Sequence, residues 1–331
     1  MKIGLISDEI LLKILNKSNL CQIQYITPIN YKELIDKKKI DFLLIESCWN
    51  GIDNIWKYKL AIYFFCFRRS NKQILDVIFY AKEKGIKVVF WSKEDDYHFD
   101  RFINVAKYCD YIFTVDENSI AKYKNIVSSS VPVQSLMFGV QPAIHHYSYN
   151  ENKIGFASFV GSYSKHIHKE RRTWQNMIFS NCSDENVNID IYDRNFNKNR
   201  YLNKYPSYKN LIINRPVAYE KTASIYQNYS INFNVNSISN SRTMFSRRLI
   251  EILASGGICI SSPALSIKNN FKDFVYIVKN NDKETLIQYL EKFRKGISKK
   301  DLRITKEASD YILKYHNIDK RLEVIFNTIS N

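Results

Sequence analysis

Three groups of residues in this sequence have types and spacings that could do chemistry. The first lies in the stretch Arg242 to Pro263, RTMFSRRLIEILASGGICISSP. Phe245, Leu249, Ile252 and Leu253 recur at helical spacing, so Ser246 to about Ser255 reads as an amphipathic helix carrying Arg247, Arg248 and Glu251. Glu251 is a carboxylate, an acceptor-only group that can take two hydroxyl donors at once. The plain alternative is that it pairs with Arg247 or Arg248, at i,i+4 or i,i+3 spacing, on a solvated face. Gly256 and Gly257 follow where a helix closes in a left-handed cap. Ile258 to Ser261 then reads as a short buried strand ended by Pro263.

The second group surrounds Phe159-Val160-Gly161-Ser162-Tyr163, which follows a strand and precedes a helix bearing Arg171 and Arg172. A glycine at a strand-to-helix turn lets backbone N–H groups approach an anion, and Lys165 or Arg171 would neutralise a diphosphate. One glycine is a weak signal; its position at the first βα turn of a domain strengthens it. Asn234 and Asn236 share a strand face, although asparagine at a strand end more often serves a turn. Tyr219 could stack on a ring, but an aromatic at a helix start more often packs.

The third group is acidic. Glu46 ends one strand and Glu94-Asp95 follow another, and in open α/β sheets the crevice lies beyond the carboxyl ends of the strands. A carboxylate there could act as a general base or hold hydroxyls by hydrogen bonds. Glu94 and Asp95 could instead be the cap and first-turn acids of the next helix, and a lone histidine such as His98 is usually packed or capping.

Strands alternating with helical patterns position these groups. Strands are expected at 2–7, 22–26, 41–46, 87–91, 111–115 and 131–138, with helices at 10–15, 74–84, 102–109 and 117–126 between them. The run DFLLIE at 41–46 is continuously apolar, as in a parallel sheet buried on both faces. The polar stretch from His145 to Lys153 reads as a linker. A second alternation follows, with strands at 154–160, 187–192, 211–213, 231–235, 258–261 and 275–278. Its helices are at 171–179, 219–226, 246–255 and 283–295, and a helical tail at 300–329 breaks near His316 and Asn317. Repeated βα units imply two doubly wound parallel sheets.

At 331 residues the chain is long enough for two domains, each with its own core. Its 45% hydrophobic and 25% charged residues are ordinary for a globular protein. The formal net charge of +16 favours a polyanionic partner, yet Lys and Arg are spread along the chain without a polybasic run. The six cysteines form no CxxC pair and have no histidine at metal-ligand spacing, which points to a reduced, cytoplasmic setting. The acidic N-terminal start is unlike a signal peptide, and the longest apolar run, Leu60 to Phe67, is far short of a membrane span.

Arg248-Leu249-Ile250-Glu251 with Ala254-Ser255-Gly256-Gly257 resembles the R-x-F-E-x-x-A-x-G segment of GT-B glycosyltransferases. The resemblance is to the subgroup that includes CgeB-like spore-maturation proteins and bacterial surface-polysaccharide transferases. Phe159 to Tyr163 is similar to its F-x-G-[ST]-Y loop. Glu46-Ser47-Cys48-Trp49 is similar to E-S-x-W, and Phe138-Gly139-Val140-Gln141-Pro142 with His145 to F-G-V-x-P…H. Trp91 to Asp95 resembles W-x-K-E-D-P, with Asp96 standing where proline is usual.

The resemblance implies an α/β GT-B fold: two Rossmann-like domains facing a central cleft, with a C-terminal helix returning to the first. It places an acceptor domain at 1–148, a donor domain at 149–309 and the returning helix at 310–331. It implies a hexosyltransferase-type enzyme moving a sugar from a nucleotide-sugar, a UDP-sugar above all, to a bacterial cell-surface glycan or lipid-diphosphate precursor. Donor binding would fall to Gly161, Ser162, Tyr163, Lys165, Arg171, Tyr219, Asn234, Asn236, Arg248, Glu251, Gly256 and Gly257. Glu251 would take the ribose hydroxyls, and the small residues after it would let backbone approach the nucleotide. Catalysis would fall to Glu94, Asp95 or Glu46. No cofactor and no metal are implied.

The second glutamate that retaining members carry eight positions before Glu251 is Thr243 here, which favours inversion with one of those three acids as base. Asp190-Ile191-Tyr192-Asp193 lacks the spacing of a metal-binding DxD. The diffuse basic charge would suit a peripheral encounter with anionic lipid at the inner membrane face. The rival readings are a nucleic-acid-binding protein, prompted by the charge and the 23 tyrosines and 20 phenylalanines, and an idle GT-B scaffold. Basic and aromatic residues are scattered and no nucleic-acid-binding signature appears, so no nucleic-acid partner is expected.

Overall fold

The computed structural model describes residues 1–61, 70–198 and 201–330. Of the apolar run from Leu60 to Phe67, Leu60 and Ala61 fall within these; the rest, with Cys66, lies outside the described residues.

The chain divides into two compact units. The first comprises Met1–Gln141 with Ile318–Asn331, and the second Pro142–Asn317. In the first, the order is β1 (Lys2–Ile6), α1 (Glu9–Leu15), β2 (Gln22–Tyr25), α2 (Tyr31–Asp36), β3 (Phe42–Glu46), α3 (Lys72–Glu83), β4 (Lys87–Ser92), α4 (Phe99–Ala106), β5 (Tyr111–Thr114), α5 (Ile120–Lys124) and β6 (Val133–Ser135). In the second it is β7 (Gly155–Gly161), α6 (Lys169–Asp184), β8 (Ile189–Asp193), β9 (Leu211–Asn214), α7 (Thr222–Asn228), β10 (Tyr229–Asn234), α8 (Arg247–Ala254), β11 (Cys259–Ser261), α9 (Leu265–Asn270), β12 (Tyr276–Ile277), α10 (Lys283–Arg294) and α11 (Lys299–Tyr315). The last helix, α12 (Ile318–Ser330), belongs to the first unit.

Each unit is built on one six-stranded sheet with parallel pairing throughout: β2-β1-β3-β4-β5-β6 in the first and β12-β11-β10-β7-β8-β9 in the second. The direction of strand progression reverses between β1 and β3 in one sheet and between β7 and β10 in the other. Such a reversal parts the crossover connections and opens a crevice at the carboxyl ends of the two strands. All five residues of β3 are buried, as a strand covered on both faces requires. The large buried rings are Trp56, Phe90 and Phe102 in one core and Trp174, Phe179 and Phe233 in the other. Buried indole N–H groups find backbone acceptors: Trp56 donates to the Ile26 carbonyl at 2.9 Å and Trp174 to that of Val278 at 2.8 Å.

Helix α12 closes the first unit. Phe326 meets Phe42 edge to face at 6.1 Å, Arg321 Nε donates to the Phe138 carbonyl at 3.2 Å, and Leu322 and Ile325 are fully buried.

The stretch expected to be a linker is instead packed within the second unit. His145 is fully buried, the Tyr147 ring abuts Gly256, and Lys153 Nζ donates to the Gln227 carbonyl at 2.6 Å. Its polar sequence hid this because several of its polar groups meet partners brought from far along the chain: Asn150 and Lys153 reach Asn228 and Gln227, and His145 meets Thr222. Helices α2 and α9 were not anticipated; at six residues each they are too short for a periodic signal.

Candidate functional site

At the reversal in the second sheet, three successive carbonyls at the end of β7 each accept from a side chain. Arg248 Nε donates to Val160, the Tyr205 hydroxyl to Gly161 at 3.1 Å and Arg171 Nη2 to Ser162 at 2.7 Å. The Arg248 guanidinium also lies 4.4 Å from the centroid of the Phe159 ring, and Arg171 Nη1 reaches Ser237 Oγ at 3.4 Å. Both arginines are therefore anchored by neutral partners. Among the described residues neither makes an ion pair, and the buried Arg248 Nη1 has no acceptor. Burial, and after it the charge of Arg248, lowers Arg171 to about 10, which still leaves it charged at neutral pH. Gly161 is required here: a Cβ would lie 2.7 Å from Arg248 Nη2. The glycine thus makes room for a guanidinium.

Glu251 lies one helical turn beyond Arg247 on α8 and is 4% exposed. Arg247 Nε donates to its Oε1 at 2.8 Å and the Tyr226 hydroxyl to its Oε2 at 3.2 Å. Burial pushes this carboxyl up, but Arg247 and Arg248 outweigh burial and hold it below the usual range. The i,i+4 ion pair weighed from the sequence is present, though buried rather than solvated. A carboxylate oxygen can accept more than one donor, and the Tyr219 hydroxyl also lies against this carboxylate.

Several expected donor contacts are taken by the chain itself. Tyr219 is buried, with its ring centroid 5.2 Å from that of His145 and the Arg247 guanidinium 5.4 Å from it, so it is no free stacking platform. Tyr163 is buried and donates to Asn176 Oδ1 at 2.7 Å. Gly256 has a left-handed φ of 81° and packs on Tyr147. At Gly257 a Cβ would lie 2.8 Å from both the Tyr226 carbonyl and Asn232. At both glycines the space a Cβ would take is filled by the protein's own side chains and backbone. Asn236 accepts from the Ser246 amide at 2.9 Å, at the start of α8, and donates to the Ser262 carbonyl at 3.1 Å. Asn234 donates to Ser261 Oγ at 2.9 Å, and its buried Oδ1 has no partner. The turn role was the better reading for Asn236. Ser162 contributes its carbonyl to the arginine anchor, and Lys165 Nζ lies 3.5 Å from the centroid of the Tyr201 ring.

In the first unit the three acids differ sharply. Glu46 is 7% exposed and committed on both oxygens, to Lys93 Nζ at 2.9 Å and to the Asp8 amide at 3.0 Å. Asp95 is 1% exposed and accepts from the Thr114 hydroxyl at 2.7 Å and the Tyr123 hydroxyl at 3.0 Å. Burial pushes it up to about 6. A base must reach the proton it takes; Asp95 is sealed inside and Glu46 is locked in an ion pair, which corrects the expectation for both. Glu94 is half-buried and keeps access to solvent. Nearby, the Trp49 and Tyr97 rings meet His98 edge to face at 4.9 and 5.3 Å.

Two residues escaped the sequence reading. Asp8 ties the loop after β3, accepting from the amides of Trp49, Asn50 and Gly51 at 2.9, 3.1 and 2.8 Å. Arg194, just past β8, is close enough to Arg171 and Arg248 for its charge to disfavour theirs. Both roles depend on strand pairing, which no local pattern encodes.

Residues 171–327 match the family described as glycosyl transferase-like. Among solved structures the chain is similar to an alpha-glucosyltransferase in complex with UDP-glucose and DNA containing an abasic site (10% identity, 100% of this chain and 99% of that one, TM-score 0.68). It is also similar to sucrose-phosphate synthase from Thermosynechococcus elongatus (9%, 100% and 98%, TM-score 0.58) and to Anabaena Alr3699/HepE in complex with UDP-glucose (9%, 100% and 99%, TM-score 0.58). No curated protein matches the chain. Family match and fold together support a glycosyltransferase. The chain has the two-domain, Rossmann-like GT-B fold, with a glycosyl transferase-like match running from α6 to α12.

Proposed function

We propose that the protein transfers a sugar from a nucleoside-diphosphate sugar, a UDP-sugar, to a cell-surface glycan or its lipid-linked precursor. The observation that carries the reading is the pair Arg171 and Arg248: two guanidinium groups at a sheet reversal, fixed by neutral carbonyls and, among the described residues, in no ion pair, with Arg248 influenced by the Glu251 carboxylate while its Nη1 keeps no acceptor. An unpaired buried cation is costly, and a diphosphate entering there would supply the missing charge and accept from Arg248 Nη1. In this reading the arginines do the work a divalent cation does elsewhere, so donor binding needs no metal. The second lone pairs of Glu251 would take ribose hydroxyls. Structures with this fold crystallised with UDP-glucose support the choice of uridine.

Glu94 would be the base of an inverting transfer, since it alone of the three candidate acids keeps solvent access. The acceptor class rests on the similarity of the E-S-x-W, W-x-K-E-D and F-G-V-x-P segments to bacterial surface-polysaccharide transferases. Contact with anionic lipid belongs to the same reading. Among the described residues no helix is long and apolar enough to cross a membrane.

Titration calorimetry with UDP, GDP, CMP, dTDP and CDP, with and without EDTA, tests the site. Saturable binding of UDP that survives EDTA and is lost in Arg248→Ala is the expected result. Silence towards all five nucleotides, with tight salt-sensitive binding of an oligonucleotide instead, would remove the proposal.

A further inference from the structure

Arg194 differs from the two arginines beside it. Strands β7 and β8, about 4.8 Å apart, pair with Gly161 opposite Asp193 as the last pair, so Arg194 is the first residue past β8, beside the turn that begins with Ser162. It thus stands at the edge of the carbonyl row that anchors Arg171 and Arg248. Those two are fixed and largely enclosed, each having given at least one N–H to a carbonyl. Arg194 is exposed, and among the described residues it makes no ion pair. The carboxylate next to it, Asp193, is 4% exposed and turned to its own turn, where it accepts from the Asn195 amide at 2.8 Å.

The charges favour a division of labour. A terminal monophosphate carries about −1.5 to −2 at neutral pH and is met by Arg171 and Arg248 together. A diphosphate adds a further charge, and the exposed Arg194 is the cation placed to meet it. We infer that Arg194 is the residue by which this site selects a nucleoside diphosphate over a monophosphate, closing over the outer phosphate while Arg171 and Arg248 hold the inner one. The inference rests on the donor-site reading above and deepens it.

Calorimetry with UDP and UMP, on the parent protein and on Arg194→Ala, tests it. Arg194 is exposed and packs in neither core, so the variant should fold. The parent should bind UDP at least about 10-fold more tightly than UMP, the value of one charge-assisted contact discounted for exposure. In Arg194→Ala, UDP affinity should fall to within about twofold of that for UMP, and UMP affinity should stay put. UDP affinity unmoved by the substitution, or UDP and UMP weakened equally, overturns the inference and leaves the donor site standing. A parent protein that binds neither nucleotide overturns the donor site and this inference with it.

Discussion

Each sheet reverses its strand progression beside the first strand of its unit, yet the two crevices are finished in opposite ways. At the β1/β3 reversal, Asp8 takes three loop amides and Glu46 pairs with Lys93, whose Nζ lies 4.2 Å from the centroid of the Trp91 ring. Both carboxylates are satisfied within the unit. At the β7/β10 reversal the cations meet carbonyls, and Arg248 keeps an unused donor. The first crevice is closed by its own hydrogen bonds; the second is left wanting an anion. What separates the two ends is whether the charged groups find their hydrogen-bond partners within the unit: Asp8 and Glu46 do, and Arg248 Nη1 does not.

The contrast can be broken or sharpened by substitution. The largest effect belongs to the one candidate acid that keeps solvent access: Glu94→Gln should cut sugar transfer, read as UDP released, by roughly 10³-fold while sparing UDP affinity. Near-parental turnover would disqualify it as the base. Next, Arg248→Ala should weaken UDP binding by about 100-fold, two charge-assisted contacts being lost. Its melting temperature should hold or rise, because an unpaired charge leaves the interior. A clear drop in melting temperature would mean that this arginine serves the fold instead.

Asp8→Ala is the mirror image. It should cost about 2 kcal/mol in urea unfolding, with three amides stripped of their acceptor, and leave UDP affinity unchanged. The smallest effect concerns Asp95, whose carboxyl is raised mainly by burial to about 6, from an ordinary value near 3.9. An acid with a raised folded value adds stability while protonated. That contribution is complete below about pH 4 and is lost as pH rises through about 6. Asp95→Asn, neutral at every pH, should therefore be about 1 kcal/mol more stable than the parent at pH 8 and no more stable at pH 4. Parallel pH profiles for the two proteins would rule this out.

Most of the fold was legible because buried parallel strands announce themselves. Phe42 to Ile45 is an unbroken apolar run, and the helices of α3, α8 and α10 repeat their apolar residues at the helical period. The site was legible where an element's own sequence fixes the geometry. The β7 turn with Gly161, the start of α6 with Arg171 and the first turn of α8 with Arg248 were all visible. It was not legible where two distant segments must meet. Asp8 and Arg194 act through strand register, and Gly256, Gly257, Tyr163 and Tyr219 face groups that their sequence neighbours cannot name. A glycine pair after a helix looks the same whether a nucleotide or Tyr147 fills the space it leaves. Asp95 fell to the same ambiguity, since a strand-end acid reads alike whether it faces solvent or Tyr123.

Helix α12 bears on how the molecule is made. It covers the first sheet with Leu322, Ile325 and Phe326, yet the whole second unit separates it in the chain from the strands it covers. At about 5–20 residues per second, the ribosome adds α12 some ten seconds or more after β6 has emerged. Through that interval the N-terminal sheet waits with an apolar flank uncovered, while the second unit has all its segments and can fold first. Maturation of this protein should therefore run against the order of its sequence, and the waiting flank is where a chaperone would bind.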